Sequence, residues 1–333
     1  MTDSLKETVG RYGIWSSGLR STDPSRRGEL AEAAAELEEL GYGALWLGGS
    51  SSARDAAPLI EATSRIVVGT SIQSIWEHEP AASAASFAEL DAAHPGRFVL
   101  GLGVSHAKFA EQYRRPYSAL VSYLDALDEA GHPADRRLLA ALGPKTVDLA
   151  RERAAGSVPY LVTTDHTATS RRRLGEAPLL APELKVVLES DPARARALAR
   201  DYLAVYLTLP NYTNNFLRNG FTEDDLAHGG SDRLVDAVYA WGDETRIRAA
   251  SRSTSPRARI MWLFRSWTAA GQGVSPSAEA GAACFSADLR PVRPRRVPSR
   301  VPAGQPGPWA SCSAGRGGRP CARRRTPAGA AGR

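Results

Sequence analysis

AHPGRFVLGLGVSH, at residues 93–106, is the stretch that decides the fold. It begins with the turn His94-Pro95-Gly96, in which proline and glycine favour a reversal of the chain. Residues 98–104 then form an unbroken apolar run, which is typical of a parallel strand covered on both faces. The stretch therefore predicts a buried strand of a parallel sheet with helices packed outside it.

Outward from this strand, strand-like and helix-like segments alternate along the chain. Apolar and β-branched runs predict six more strands, at residues 12–15, 44–47, 65–72, 137–142, 157–162 and 185–188. Helical patterns follow them, at residues 25–40, 54–62, 80–93, 116–130, 144–155, 165–174, 191–208, 211–218 and 231–241. Seven such units indicate an α/β fold, a TIM (β/α)8 barrel whose eighth strand is missing or altered. A doubly wound open sheet is the alternative, but no G-x-G-x-x-G lies in the first strand-to-helix turn.

Charge divides the 333-residue chain into two parts. The net charge is +6, yet residues 251–333 contain 15 arginines, no lysine and two acidic residues, so residues 1–250 are mildly acidic. Proline and glycine supply 20 of the last 83 residues, and apolar periodicity is lost there. Such a composition is typical of disorder. We therefore expect a barrel domain over residues 1–250 and an Arg/Pro/Gly/Ala-rich disordered tail over residues 251–333.

The composition of this tail has two possible explanations. Arginine clusters are typical of nucleic-acid binding, but that hypothesis rests on the clusters alone, and we expect no nucleic-acid partner. The other hypothesis is a frameshift. Residues 251–267, back-translated with GC-favouring codons and read one base out of register, permit a helix end, a glycine turn and an apolar strand. That is what a barrel needs as its eighth strand.

Several function classes are disfavoured by what the sequence lacks. Residues 1–7 are polar, and no apolar run reaches the roughly 20 residues that span a bilayer, so we expect a cytoplasmic protein with no membrane partner. Cys284, Cys312 and Cys321 all lie in the tail, and the histidines show no metal-ligand spacing, so no metal is expected. The sequence contains no G-x-S-x-G motif, which would have indicated a hydrolase.

An ordered set of segments resembles the luciferase-like family of flavin- and F420-dependent enzymes. Four segments carry the general resemblance: RIVVGTSIQSIW at 65–76, the stretch at 93–106, AALGPK at 140–145, and 185–188 with Asp191-Pro192 after it. Three more are similar to a subfamily of F420-dependent oxidoreductases with no firm substrate: PYLVTTDH at 159–166, LPNYTNN at 209–215 and GGSDRLV at 229–235. The resemblance covers residues 10–250.

The resemblance implies an oxidoreductase that transfers a hydride between coenzyme F420 and an unknown small organic substrate, and a homodimer. An FMN-dependent monooxygenase on the same fold is the first alternative. The second is an inactive truncated barrel, because loss of the eighth strand would leave the edges of strands one and seven unpaired.

The resemblance also assigns site residues. In the family a non-prolyl cis peptide backs the flavin ring, and here it would join Ser71 and Ile72. The next strand ends in Gly103, Val104 and Ser105, where small residues let a planar ring approach, and His106 is the candidate catalytic proton donor. The expected cofactor phosphate site is the helix start formed by Ala141, Leu142, Gly143, Pro144 and Lys145.

Trp76, Tyr160 and Tyr212 are the candidates for the substrate side of the site. Two departures from the family are evident. Several F420 enzymes place Asp-His after the second strand, where this chain has GGSSS at residues 48–52. The family often has an acidic residue near the position of His106, and this chain has none there. A mechanism borrowed from those relatives is therefore in doubt.

Overall fold

The computed structural model describes residues 4–20, 23–106, 114–253 and 260–263, all within one compact unit, Met1–Val292. The strands in this part of the chain are β1 Tyr12–Ser16, β2 Ala44–Gly48, β3 Val67–Ser71, β4 Gln73–Ser74, β5 Phe98–Gly103, β6 Arg137–Leu139, β7 Gly156–Ser157, β8 Leu179–Leu180, β9 Glu183–Val187, β10 Tyr239–Trp241 and β11 Ile260–Leu263. The helices are α1 Leu5–Thr8, α2 Arg27–Glu39, α3 Ala53–Glu61, α4 Pro80–Ala93, α5 Pro116–Glu129, α6 Pro144–Arg153, α7 Thr164–Leu174, α8 Pro192–Tyr206, α9 Pro210–Arg218, α10 Glu223–Leu226, α11 Asp232–Val238 and α12 Glu244–Ser253.

The strands form one parallel sheet that curls into a barrel. Its order is β10-β9-β11-β1-β2-β3-β5-β6-β7-β8, with β4 beside β5. Only residues 181–182 separate β8 from β9, and the N–H groups of Ala181 and Glu183 donate to Ser157 O (2.9 Å) and Pro159 O (3.1 Å). These bonds bring the two ends of the sheet together. The fold is thus the TIM-barrel type expected from the alternation of strands and helices.

Strand β11 fills the eighth position of the barrel. It lies within residues 251–333, where the sequence analysis expected the eighth strand to be missing or altered. β11 pairs in parallel with β1, placing Tyr12 opposite Ile260, and with β9, placing Glu183 opposite Met261. Over this length the edges of the first and seventh barrel strands are covered. The gap foreseen for a truncated barrel is therefore absent along these residues. Of the tail expected to be disordered, the structure describes only residues 251–253, at the end of α12, and β11. The rest of that prediction lies outside the described residues.

Local sequence explains where the barrel elements begin and which face they bury. Pro80 occupies the first turn of α4, where its missing N–H costs nothing. Leu30, Ala34 and Leu37 recur at helical spacing and form the buried face of α2. Leu5 and Val9, from α1 and its C-cap, pack with apolar side chains of the strands and of the residues directly after them, namely Trp15, Ala44, Trp46, Val67, Val99, Leu138, Val158, Leu179 and Ala181. The barrel is filled, so a site can form only at one of its ends.

Two sequence-based boundaries were wrong. Residues 231–241 were expected to be helical, but α11 ends at Val238 and β10 follows, because an aromatic Tyr-Ala-Trp run pairs with β9. The strand expected at 157–162 stops at Ser157, since Pro159 lacks an N–H donor and Leu161 has a φ of 52°. The chain leaves the sheet there, which directs Tyr160 toward the end of the barrel.

None of the helices within the described residues combines the length and the hydropathy needed to cross a membrane. Nor do three or more His, Cys, Asp or Glu side chains of that part of the chain come together as a group of metal ligands.

Candidate active site

The carboxyl ends of the barrel strands, called the mouth below, carry most of the candidate residues. At the end of β3, the peptide bond between Ser71 and Ile72 is cis, as predicted. The Trp15 indole Nε1–H donates to Ser71 O at 3.0 Å. A Cβ built on Gly103, at the end of β5, would lie 3.0 Å from the Ile72 side chain. Ile72 and Gly103 therefore touch across two neighbouring strand ends.

The loop after β5 continues this surface. The Trp76 indole Nε1–H donates to Val104 O at 2.5 Å, which ties the loop after β4 to the loop after β5. Ser105 has a φ of 51°, and its carbonyl oxygen accepts from Asn211 Nδ2 at 3.2 Å. Helix α9, which begins at Pro210, is thereby fixed over the mouth.

His106 lies at the inner side of this loop. Its ring centroid is 5.4 Å from that of Tyr212, which α9 holds almost fully buried. Burial lowers the pKa of His106 below its usual value, and a hydrogen bond with the Asn211 side chain partly opposes this effect. The imidazole is therefore mainly neutral at pH 7 and can accept a proton.

Next to Tyr212, the hydroxyls of Tyr160, Tyr202 and Tyr206 form a closed hydrogen-bonded group. The Tyr160 hydroxyl bonds to those of Tyr202 and, at 2.8 Å, Tyr206, and the latter two are 2.7 Å apart. Tyr202 and Tyr206 are one turn apart on α8, so both reach the same point. Burial first, and then the nearby Glu183 carboxylate, raise the pKa of Tyr160 well above its usual value. The phenol therefore stays protonated and acts as a donor.

A buried ion pair lies beneath the phenols. Lys185 Nζ bonds to Glu183 Oε1 and donates to the Tyr160 hydroxyl at 2.9 Å. The ammonium also lies 4.0 Å from the centroid of the Tyr160 ring and 4.4 Å from that of Tyr202. Glu183 Oε2 accepts the N–H of Leu161 at 3.1 Å. Because both charges are almost fully buried, their mutual pairing is what makes their presence tolerable.

The helix start expected to hold a phosphate lies at the adjacent strand end. Ala140 Cβ lies 3.3 Å from a Cβ built on Gly103, which links this turn to the mouth. Gly143 is the N-cap of α6, and nothing lies within 4 Å of a Cβ built there. Lys145 is exposed, whereas Ala141 is buried. His166 Nε2 is 2.9 Å from Leu142 O and anchors the turn.

The structure thus brings together Ser71, Ile72, Trp76, Gly103, Val104, Ser105, His106, Tyr160 and Tyr212, with the turn at 141–145 beside them. Sequence reasoning missed Trp15, Glu183, Lys185, Tyr202 and Tyr206. The spacing of four of these residues in the sequence could have indicated that they lie together. Glu183 and Lys185 are two apart in an apolar strand, so they share its inner face. Tyr202 and Tyr206 have the spacing of one helix face.

Comparison with known proteins agrees with this architecture. Residues 11–132 match the family model described as luciferase-like monooxygenase. No curated protein sequence matches the chain significantly.

Among solved structures, an F420-dependent secondary alcohol dehydrogenase in complex with an F420-acetone adduct is 13% identical, with 84% of this chain and 97% of that one covered and a TM-score of 0.60. The coenzyme F420-dependent tetrahydromethanopterin reductase of Methanopyrus kandleri is also 13% identical, with 83% and 97% covered and a TM-score of 0.56. The oxygenating constituent of 3,6-diketocamphane monooxygenase from Pseudomonas putida, in complex with FMN, is 14% identical, with 76% and 91% covered and a TM-score of 0.54. Residues 11–132 therefore match the luciferase-like family that the ordered sequence segments predicted, and the chain has the same fold as these three structures.

Proposed function

We propose that this chain is an oxidoreductase that transfers a hydride between coenzyme F420 and a small organic substrate at the mouth of the barrel. The observation that carries the proposal is the closeness of the Ile72 side chain, which follows the cis Ser71–Ile72 peptide, to Gly103, beside the half-buried His106. The dehydrogenase and the reductase among the structural neighbours are described as F420-dependent, which supports this choice of cofactor.

The residues at the mouth fit a planar cofactor with a phosphate. Because Gly103 has no side chain, the Ile72 side chain can pack against the end of β5, and the two residues offer a small apolar surface to a ring. The open space at Gly143 lies at the start of α6, where backbone N–H groups favour an anion, and Lys145 adds a positive charge there. When bound, F420 supplies the group that gives or takes the hydride.

The chain's own residues handle the proton and the surroundings of the substrate. His106, neutral near pH 7, takes the hydroxyl proton of an alcohol at its imidazole nitrogen when the substrate is oxidised, and returns it when a carbonyl is reduced. Trp76 and Tyr212 enclose the substrate and exclude water. Tyr160, kept protonated, stays in its hydrogen-bonded group with Tyr202 and Tyr206 and lines the substrate side of the site.

Fluorescence titration of the full chain with F420 and with FMN tests the cofactor. F420 binding, followed by consumption of reduced F420 with a panel of ketones, enones and imines, is the expected result. His106→Ala should retain cofactor binding and lose turnover. Binding of neither cofactor by a folded chain would contradict the proposal and favour an inactive barrel.

An FMN-dependent monooxygenase is the second candidate. The family model that matches is named for monooxygenases, and one structural neighbour contains FMN. Binding of FMN without F420, with oxygen consumption on adding a reductant, would select this candidate. The homodimer implied by the resemblance is also part of the proposal, and sedimentation velocity of the full chain checks it.

A further inference from the structure

A polar corner lies beyond the ends of β1, β2 and β4, on the rim of the mouth. It consists of Arg20, Ser50 and His78, which follow β1, β2 and β4. Arg20 Nη1 donates to Ser50 O at 2.8 Å, and His78 Nε2 is 3.2 Å from Ser50 Oγ. Ser50 Oγ also accepts the N–H of Ser74 at 3.1 Å. Three loops thus bring a guanidinium, a hydroxyl and an imidazole to one point.

This corner is held in place by the residues around it. Leu19, next to Arg20, is 1% exposed and anchors the first loop in the core. Ser51 is fully buried and donates to Leu47 O at 3.1 Å, which fixes the second loop. Gly49 has a φ of 76°, and a Cβ there would lie 3.4 Å from the Arg20 guanidinium. Glycine suits this positive φ, and the guanidinium lies in contact with the loop.

Within the part of the chain that the structure describes, the Arg20 guanidinium makes no ion pair. Its hydrogen bond to Ser50 O uses one of its five N–H donors. Glu77 and Glu79 flank His78 in sequence but form no ion pair with Arg20. A guanidinium presents paired N–H groups that match the two oxygens of a carboxylate or a phosphate.

We propose that this corner binds an anionic oxyacid group, a carboxylate or a phosphate, carried by the substrate. The inference rests on the proposed function, because it assigns a substrate class to the same mouth. Arg20 supplies the positive charge and the paired N–H groups that bind two oxygens of the anion. Because Ser50 Oγ accepts the N–H of Ser74, its own hydrogen is left to donate to His78 or to the anion.

Two matched pairs of compounds test the inference by isothermal titration of the full chain. They are 4-oxopentanoate with 2-pentanone, and hydroxyacetone phosphate with hydroxyacetone. We expect the anion of at least one pair to bind tenfold or more tighter than its neutral partner. Arg20→Gln should weaken that anion by roughly ten- to a hundredfold, the usual range for one charge-assisted hydrogen-bonded contact, and Arg20→Lys by less. Arg11→Gln, an exposed arginine at the opposite end of β1, should change nothing.

Preference for only the phosphate identifies the anion and supports the inference. Equal affinity within both pairs, no anion binding at concentrations on the order of 10 mM, or equal effects of Arg20→Gln and Arg11→Gln would overturn it. The cofactor titration separates this result from the proposed function. A chain that binds F420 but shows no anion preference overturns the anion site alone. A chain that binds the anions through Arg20 but neither cofactor overturns the proposed function alone.

Discussion

His106 is the residue on which the proposed chemistry depends. Because burial lowers its pKa below 6.5, the neutral form dominates at pH 7, and alcohol oxidation should lose rate only as the pH falls through that lowered value. Loss of general base catalysis typically costs 10²–10⁴-fold. We therefore expect His106→Gln to lower kcat by about that factor and to abolish this acidic limb, measured as kcat/KM from pH 5 to 8 with F420 and an accepted alcohol.

The control for this prediction is His94→Gln, since His94 lies at the end of α4 rather than at the mouth. It should leave both the rate and the pH profile unchanged. If His106→Gln retained the acidic limb, another group would be the base.

His132 should make the fold sensitive to acid. Its ring packs 4.2 Å from that of Phe87, Nδ1 is 3.0 Å from Pro133 O, and burial lowers its pKa to about 4. Between pH 6.5 and 4 the unfolded chain takes up a proton that the folded chain does not. The free energy of unfolding should therefore fall as the pH falls, by about 2–3 kcal/mol at pH 4.5 from this group.

Urea unfolding at pH 7 and at pH 4.5 measures this difference. His132→Asn loses packing at both pH values, but its loss of stability on acidification should be smaller than in the unsubstituted chain by that amount. His106 and His166 have pKa values lowered in the same direction and supply a remaining slope in both proteins. Identical pH dependence of the two chains would show that His132 is not the sensor.

At the scale of elements, the buried pair Glu183–Lys185 joins β9 to the phenols of α8. Lys185→Met should lower the free energy of unfolding by about 3–5 kcal/mol, because it leaves the Glu183 carboxylate buried without its counter-charge. The double variant Glu183→Gln with Lys185→Met should recover part of this loss. Arg26→Met, which breaks the exposed pair with Glu29, should cost under about 1 kcal/mol. Chemical unfolding of the three variants distinguishes these cases, and a Lys185→Met cost as small as that of Arg26→Met would refute the role of burial.

Elements whose boundaries have local causes could be predicted from the sequence. Pro80 and the turn at His94 bound α4 at the residues expected, and the apolar run of β5 identified a buried strand. The short strand β10 could not be found, since its three residues continue a helical pattern and depend on pairing with β9. The same holds for the site. The resemblance named His106 and Tyr160 as candidates, but the meeting of Lys185 with Tyr202 and Tyr206 depends on how α8 packs over the barrel.

At the scale of the whole molecule, the question is how the barrel closes. Residues 251–333 have a composition unlike the rest, yet β11 comes from within them and pairs with both β1 and β9. The frameshift hypothesis and this pairing are compatible, because a four-residue strand needs backbone N–H and C=O groups rather than one particular sequence. Sequencing the gene from independent isolates tests the frameshift. An intact single reading frame through codon 250 would refute the frameshift hypothesis.

Closure itself can be tested at Trp262, which pairs with Ile14 on one side and Leu184 on the other. Proline lacks the backbone N–H and is excluded from central strands, so Trp262→Pro should cost about 3 kcal/mol. For a domain of this size that cost corresponds to a drop in Tm of roughly 6–12 °C. Calorimetry of the full chain measures the shift, and light scattering should reveal association through the freed edges of β1 and β9. Trp262→Val keeps the N–H and should shift the Tm much less. If the two variants melted alike, β11 would contribute nothing to closure, and the inactive truncated barrel would become the better account of this chain.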